Sequence, residues 1–230
     1  RPTHQRPRRR WLFLASRQIP QCFLYRVEQK CQQLSALGCE SRVVLQDQLS
    51  DPLWSHQLLW ADAVMVCRLP GVVPVLNAIA RAKTAGLPVF YDVDDLVFDA
   101  QFCPPALSSY AGTLSPEFHR RFVLDVPLVA AAKQACDAVI VSTNTLAERS
   151  RALTPEQSVF VFPNLAQSEL CAALREPSLR LDEQPVRLVL ATGSGAHKQV
   201  WREELAPALA ELLARYARIE LILLGPWQLP

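Results

Sequence analysis

The chain has 230 residues, of which 50% are hydrophobic and 20% charged, a balance typical of globular proteins. This length allows one large domain or two small ones, and the composition excludes disorder over most of the chain. No apolar run reaches the ~18 residues that a membrane-spanning helix needs. The first residues show neither the apolar segment nor the cleavage site of a secretory signal.

Basic residues are concentrated at the N-terminus. The first ten residues carry five of the 24 basic side chains and no acidic one, which leaves 19 basic and 22 acidic side chains in the rest. A slightly acidic body argues against a nucleic-acid partner. We predict that residues 1–10 form a disordered basic arm. The protein is expected to be cytoplasmic, with peripheral contact to the inner face of a membrane through this arm.

The cysteine pattern argues against disulfides and against zinc. There are seven cysteines, an odd number, and no pair has the C-x-x-C spacing. The four histidines are scattered, and none stands near a cysteine pair. This pattern indicates reduced thiols in a cytosolic protein, several of them packed as small hydrophobic side chains, and no metal site is expected.

Short apolar strands alternate with helical patterns as far as residue 164. The predicted strands are Trp11–Ser16, Ser41–Gln46, Ala63–Arg68, Pro88–Asp92, Ala138–Ser142 and Ser158–Asn164. The predicted helices cover residues 21–37, 73–85 and 116–135 and a segment capped by Ser142 or Thr143. Pro127 is expected to kink or break the third helix. The alternation of continuous apolar strands with helices predicts an α/β fold, a Rossmann-like doubly wound parallel sheet.

A polar break precedes a second run of the same pattern. Residues 166–184 carry no strand signal and are predicted to link a Rossmann-like domain of residues 11–165 to a second domain that begins at residue 185. That domain opens with a strand at Val186–Thr192, a helix over residues 200–217 and a strand at Ile219–Gly225. We expect the chain, through residue 230, to be a fragment that holds only the first β-α-β unit of this second domain.

Three carboxylates follow the fourth predicted strand. Asp92, Asp94 and Asp95 lie at its carboxyl end, the edge where open α/β sheets bind ligands. Carboxylates this close repel one another unless a cation, a hydroxyl-rich ligand or a basic side chain lies nearby. A helix cap needs only one aspartate, so we predict a functional site here. A solvated turn with one capping aspartate is the alternative.

A glycine-containing loop follows the first strand of the second domain. Gly193 and Gly195 stand between a strand and a helix, where backbone N–H groups can hold a phosphate. Lys198 lies in the first helical turn, where a cation opposes the helix dipole unless an anionic ligand is bound. The pattern matches neither the dinucleotide fingerprint nor a Walker loop. The alternative is an ordinary strand-to-helix turn with His197 as a surface histidine.

Polar residues also follow the last two strands of the first domain. Ser142, Thr143 and Asn144 come after one strand, and Asn164 ends the next. In a parallel sheet they share an edge with the aspartates. Helix capping and turn chemistry are the alternative interpretation.

Four segments, taken in order, resemble a known enzyme family. WLFLAS is followed by Pro20 and by a helix that carries Tyr25 and Arg26 and ends in LSALG. PVFYDVDDLVFD, DAVIVSTNTLAE with VFVFPN, and LATGSGAHKQVW with IELILLG follow. Together they resemble glycosyltransferases of the GT-B fold, of the family-4 or group 1 type, which use nucleotide sugars and are usually retaining.

The resemblance implies a hexosyltransferase-type enzyme with an N-terminal acceptor domain and a C-terminal donor domain. It would move a sugar from a nucleotide-sugar donor to a glycan or lipid-linked acceptor in bacterial cell-surface polysaccharide biosynthesis, with no metal or further cofactor. The family's Glu-rich donor motif would fall beyond residue 230, so the fragment alone is expected to be inactive. The implied residues are Asp92, Asp94 and Asp95 for catalysis, Gly193, Ser194, Gly195, His197 and Lys198 for the donor, and Arg17, Tyr25, Arg26, Ser142, Thr143 and Asn164 on the acceptor side.

Two alternatives remain open. VFYDVDDLVF resembles the nucleophile strand of haloacid-dehalogenase-type phosphatases, with Asp92 as the nucleophile, and VIVSTN resembles their second motif. Against that family, Leu96 stands where it has Thr, the strand comes late in the chain, and ILLGPWQ carries no acidic pair. The second alternative is a GT-B-like module that serves as a non-catalytic scaffold.

Overall fold

The structure is a computed structural model that describes residues 9–110, 112, 114–166, 185–192 and 200–225. The chain divides into two units, Arg1–Cys103 with Val123–Gln167 and Pro104–Phe122 with Ser168–Pro230. Most of the predicted linker 166–184 lies outside the described residues, so that domain boundary stays a prediction. Among the described helices, none is long and apolar enough to cross a membrane.

Six parallel strands form one sheet in the first unit. The strands are β1 (Arg10–Ala15), β2 (Glu40–Leu45), β3 (Ala63–Cys67), β4 (Val89–Val93), β5 (Ala138–Val141) and β6 (Ser158–Val161). Their order is β2-β1-β3-β4-β5-β6, and every neighbouring pair is parallel. From β1 the chain first adds β2 on one side and then returns to add β3 and the later strands on the other side, so the strand order reverses between β1 and β3. The predicted doubly wound, Rossmann-like α/β fold is confirmed.

Helices connect the strands, and most lie within one or two residues of the predicted ranges. They are α1 (Pro20–Phe23), a π-helical turn (Leu24–Glu28), α2 (Gln29–Ala36), α3 (His56–Trp60), α4 (Val73–Thr84), α5 (Pro116–Ala135) and α6 (Asn144–Leu153). Short 3₁₀ turns lie at Gln46–Ser50, Pro52–Ser55 and Leu107–Tyr110. The sequence did not predict the turns between β2 and β3, because segments of four or five residues carry too little periodicity to detect.

The helix α5 continues through Pro127. A break was one of the two outcomes expected there, because proline removes an N–H donor and its ring crowds the preceding turn. Tertiary contacts hold the helix beside the proline: the N–H of Gly71 donates to the carbonyl oxygen of Leu128 at 2.8 Å, and Val129 and Ala132 are buried in the core. These contacts offset the lost intrahelical hydrogen bond.

The two faces of the sheet pack against different helices. The larger core cluster includes Tyr91 of β4 and lies against α4, α5 and α6. The smaller cluster joins Phe13 of β1 and Met65 of β3 to Val27 of the π-helical turn. Because side chains alternate along a strand, Asp92 points to the opposite face from Tyr91. That face is the one covered by the π-helical turn.

The second unit contains a parallel strand pair. It comprises β7 (Val186–Ala191), a π-helical turn (Trp201–Leu205), α7 (Ala206–Arg215) and β8 (Ile219–Leu224). The predicted opening β-α-β unit of a second sheet is therefore confirmed. Arg10, which the sequence placed in the basic arm, begins β1 and pairs with Asp62 in the first unit.

Candidate functional site

A buried ion pair joins the π-helical turn to the carboxyl end of β4. Arg26 donates from Nε and Nη2 to the two carboxylate oxygens of Asp92, at 2.7 Å each. The side chains are only 3% and 2% exposed. Such a two-point contact fixes the orientation of both groups. The structure thus brings together Arg26, predicted on the acceptor side, and Asp92, predicted to be catalytic.

The same guanidinium reaches the segment that leaves β6. Arg26 Nη1 donates to the carbonyl oxygen of Phe162 at 2.8 Å and to Asn164 Oδ1 at 3.0 Å. Lys30 Nζ donates to the carbonyl oxygen of Pro163 at 3.2 Å and lies 3.9 Å from the centre of the Phe162 ring. Residues 162–164, the predicted end of the strand, therefore accept hydrogen bonds from Arg26 and Lys30. The strand β6 ends earlier, at Val161.

Burial shifts the pKa values of Asp92 and Lys30. Burial raises the pKa of Asp92, although the two N–H donors of Arg26 act in the opposite direction. Burial, together with the positive charge of Arg26, lowers the pKa of Lys30 to about 8. The Lys30 ammonium is therefore held less firmly in its charged form than an exposed lysine would be.

A second arginine organises the other two predicted carboxylates. Arg68 Nη1 lies 3.3 Å from Asp94 Oδ1 and also contacts Asp95 Oδ2. It lies 3.1 Å from the sulfur of Cys22 in α1. Arg68 is the one described residue other than glycine with a positive φ, 51°. Along β3, successive side chains point to opposite faces of the sheet. The left-handed backbone at Arg68 ends this alternation, so the Arg68 side chain can reach groups on the face that α1 covers.

Arg68 was not predicted from the sequence. It is the charged residue that follows the apolar run AVMVC, at the end of the predicted strand Ala63–Arg68. The available signal was indirect, because three neighbouring carboxylates require a compensating cation. Which of the chain's basic residues supplies it depends on the strand order, since β3 lies next to β4.

Ser142 extends this arrangement to β5. Its hydroxyl donates to the carbonyl oxygen of Asp94 at 3.1 Å, so the ends of β4 and β5 are joined next to Arg68. The neighbouring Thr143 caps α6, its hydroxyl oxygen accepting from the N–H of Leu146 at 3.2 Å. The capping interpretation therefore applies to Thr143, whose role on the acceptor side stays a prediction.

The remaining predicted residues are outside these contacts. Arg17 is exposed, with its guanidinium carbon 5.1 Å from the centre of the Phe23 ring. Tyr25 is half-buried in the π-helical turn. The predicted donor residues lie outside the described part of the chain, between β7 and the helical segment that begins at residue 200: Gly193, Ser194, Gly195, His197 and Lys198.

Cys22, Asp94 and Asp95 form a group that resembles a metal site in geometry. One potential ligand atom from each lies within 4.8 Å of the others. Arg68 already contacts all three residues with its positive charge. Burial raises the pKa of Cys22 to about 11, so its thiol keeps its proton at neutral pH. In the arrangement described, Arg68 supplies the positive charge that compensates Asp94 and Asp95.

Two surface cavities lie away from this group. One of about 330 Å³ is lined by residues such as Trp54 and Asn77, and one of about 570 Å³ by residues such as Arg42 and Gln57. Neither of these two cavities is lined by Asp92, Asp94, Asp95, Arg26 or Arg68.

Comparisons with known proteins identify no family. No protein-family model matches the chain, and no curated protein matches it. The solved structures that it resembles include S. aureus MnaA with UDP, at 14% identity and a TM-score of 0.43, covering 96% of this chain and 63% of that one. Another is a UDP-glucosyltransferase from Polygonum tinctorium capable of glucosylating indoxyl, in complex with 3,4-dichloroaniline. It has 14% identity and a TM-score of 0.45, with 97% of this chain and 73% of that one covered. Likeness at this level does not establish a shared activity.

Proposed function

We propose that the chain belongs to a glycosyltransferase that uses a nucleotide-sugar donor, and that its first unit binds the acceptor. One observation carries the proposal: charged and hydroxyl side chains from β3, β4 and β5 meet at one edge of a doubly wound sheet. Arg68 and Ser142 both contact Asp94 there, Arg68 at its carboxylate and Ser142 at its carbonyl oxygen. Ligands bind at this edge in open α/β sheets, and the sequence segments that form it resemble the acceptor domain of GT-B enzymes.

The exposure of the carboxylates suggests separate roles for them. Asp95 is 58% exposed and Asp94 is 10% exposed, so Asp95 is the carboxylate best able to reach a substrate. In the proposed reaction an acceptor hydroxyl oxygen bonds to the anomeric carbon while the bond to the diphosphate breaks. Asp95 would orient that hydroxyl and accept its proton. Asp94, held by Arg68, would fix the position of the adjacent backbone.

The burial of Asp92 favours this function over a phosphatase. In a dehalogenase-type phosphatase the first aspartate attacks phosphorus directly. Here both oxygens of Asp92 accept from Arg26, and the side chain is 2% exposed. A nucleophile needs a free oxygen within reach of its substrate. The catalytic role predicted for Asp92 stays a prediction, and in this proposal it would act by holding Arg26.

The finer features of the proposal rest on the sequence resemblance. They are a hexosyl donor held through Lys198 and its neighbours, a glycan or lipid-linked acceptor, and a role in bacterial cell-surface polysaccharide synthesis without a metal. The cytoplasmic location and the contact of the basic arm with a membrane belong to the same set of proposals.

The test is a transfer assay on the protein in its natural length. UDP- and GDP-sugars would be offered with glycan and lipid-linked acceptors, and release of the nucleoside diphosphate would be measured. We expect Asp95→Asn to lower turnover about 100-fold or more, the scale of a positioned acid or base, and Asp94→Asn to lower turnover by weakening the contact that holds Arg68. Asp62→Asn is the matched control, because Asp62 is an exposed aspartate paired with Arg10 before β3, and it should leave turnover unchanged.

Two results would overturn the proposal. Hydrolysis of a generic phosphate ester that disappears in Asp92→Asn would indicate a phosphatase instead. A well-folded protein that transfers no sugar from any donor would indicate a scaffold.

A further inference from the structure

Arg68 is held by one edge of its guanidinium group. Nη1 makes every side-chain hydrogen bond that Arg68 has with the described residues, to Cys22, Asp94 and Asp95. Nε and Nη2 have no partner among those residues, and the side chain is 18% exposed. These two nitrogens form the second edge of the guanidinium fork, which can donate two parallel hydrogen bonds to a pair of oxygen atoms.

The two carboxylates next to Arg68 have unused acceptors. Asp94 accepts through Oδ1 and Asp95 through Oδ2, and the other oxygen of each has no partner in the described part of the chain. The Asp94 side chain is nine-tenths buried, since only 10% of it is exposed. Both free oxygens can therefore accept hydrogen bonds from a ligand that donates them.

The charge of the cluster determines the kind of ligand. One guanidinium faces two carboxylates, so Arg68, Asp94 and Asp95 together carry one net negative charge. A phosphate or carboxylate placed on the free edge of Arg68 would also lie near Asp94 and Asp95, whose charges repel it. A sugar diol is uncharged, accepts hydrogen bonds from Arg68 and donates them to the carboxylates. Its hydroxyl groups therefore match both kinds of unused group.

We propose that Arg68 and Asp95 form a subsite for two neighbouring hydroxyl groups of an uncharged sugar, and that the net negative charge of Arg68, Asp94 and Asp95 selects a neutral sugar over a phosphorylated one. The inference rests on the proposed function, because it describes the acceptor that this edge of the sheet would bind. Ser142 fixes the backbone of Asp94, and the carboxylates fix Arg68, so little side-chain freedom is lost when the sugar binds.

The experiment measures sugar binding to the chain without any donor. Methyl glycosides of glucose, mannose and galactose would be compared with glucose 1-phosphate and methyl phosphate by saturation-transfer NMR and by titration. We expect at least one methyl glycoside to bind, and to bind more tightly than either phosphate. Arg68→Lys keeps the charge but loses the fork, and should weaken binding about tenfold to 100-fold, the effect of lost hydrogen bonds to a charged group.

Further variants separate binding from folding and from charge. Arg68→Gly removes the side chain at a position whose positive φ suits glycine, so it adds no backbone strain. Arg120→Lys, at an arginine that is 73% exposed, should leave binding unchanged. Asp94→Asn combined with Asp95→Asn leaves a net positive charge and should shift the preference towards glucose 1-phosphate.

The outcomes also distinguish this inference from the proposed function. Tighter binding of glucose 1-phosphate than of any methyl glycoside, or no binding of any glycoside, would overturn the inference. Unchanged glycoside binding in both Arg68 variants would do the same. If glycosides bind through Arg68 but the natural-length protein transfers no sugar, the subsite stands and the proposed enzyme activity fails.

Discussion

Lys133 Nζ donates to Thr154 Oγ1 at 2.8 Å from a side chain that is only 2% exposed. Gln157 Oε1 lies 3.4 Å from the same nitrogen. Lys133 forms no ion pair with a carboxylate of the described residues, and burial lowers its pKa to about 8. Among the described residues, the partners of this buried ammonium group are therefore uncharged: the two oxygens and the Phe98 ring, whose centre lies 5.3 Å away.

This lysine should make stability depend on pH in a defined direction. Its pKa is lower in the folded chain than in the unfolded one, where lysine titrates near 10.4. Between these values the unfolded chain binds more protons, so the free energy of unfolding rises with pH. Relative to Lys133→Met, the wild-type protein should gain about 2 kcal/mol between pH 8 and pH 10. Urea unfolding at both pH values measures this difference.

Lys83→Met is the matched control for this measurement. Lys83 also lies in the last turn of a helix, but it is 44% exposed and pairs with Asp137. The difference between wild type and Lys83→Met should change little over the same pH range. Comparing differences removes the contribution of cysteines and tyrosines, which also ionise at high pH. An equal gain for both lysines would contradict the assignment to burial.

Removing one partner of the ion pair between Arg26 and Asp92 should destabilise the fold more than removing both. Arg26→Met leaves a buried carboxylate without its partner and should lower the free energy of unfolding by about 3–5 kcal/mol. Replacing both residues, as in Arg26→Met with Asp92→Leu, should cost less than the single change. Chemical denaturation at pH 7 measures each variant. Arg10→Met, at an exposed ion pair with Asp62, is the control and should have little effect.

Acidification should reduce the loss of unfolding free energy that Arg26→Met causes. Burial raises the pKa of Asp92, and removing the Arg26 donors raises it further. A carboxyl whose pKa is higher in the folded chain stabilises the fold at low pH, and this contribution is lost as the pH rises through that pKa. The loss at pH 7 should therefore exceed the loss at pH 5. The opposite order would show that the carboxylate is not desolvated.

Gly71 should tolerate no side chain, because the backbone of α5 lies too close. A Cβ at this position would lie 2.8 Å from the Leu128 carbonyl oxygen and 3.0 Å from the Ala132 nitrogen. Gly71→Ala should lower the free energy of unfolding by about 1–3 kcal/mol, since neither backbone atom can move alone. Amide hydrogen exchange should become faster in the second half of α5.

Gly86→Ala is the comparison for this effect. Gly86 has a φ of +74° and no atom near its would-be Cβ, so alanine there adds backbone strain without a clash. Both changes should destabilise the protein, but only Gly71→Ala should alter exchange in α5. Normal exchange in α5 with Gly71→Ala would mean that the contact with Leu128 does not hold the helix.

Lys198 should contact the donor diphosphate in the natural-length protein. An ammonium contact with this anion is worth about 1.5–3 kcal/mol. Lys198→Ala should then weaken the binding of UDP- or GDP-sugars about tenfold to 150-fold, and Lys198→Arg should retain part of the affinity. Gly195→Val should also weaken binding by keeping the backbone from the phosphates. Calorimetry measures these affinities, and unchanged donor binding in Lys198→Ala would falsify the assignment.

The sequence predicted the sheet well because each strand is a continuous apolar run with a turn signal beside it. Val64 and Val66, for example, are fully buried in β3, and a buried parallel strand needs no information beyond its own residues. The carboxyl edge could be predicted in the same way, since the direction of the strands places the ends of β4 and β5 side by side.

The partners of the site residues could not be predicted from the sequence. Arg26 lies 66 positions before Asp92, and Arg68 lies 26 positions before Asp94. Their pairing depends on the strand order and on two local departures from regular geometry, the π-helical turn and the positive φ of Arg68. Neither departure leaves a pattern in composition or periodicity from which it could be predicted.

The π-helical turn of Leu24–Glu28 also determines where this gene can change in length. A π turn holds one residue more than an α-helical turn, and it absorbs that residue without rotating the helix that follows. Loss of one codon between Arg26 and Lys30 would therefore convert the π turn into an α-helical turn and leave α2 in place. Among variants of this gene, a single-codon deletion should be tolerated in this turn.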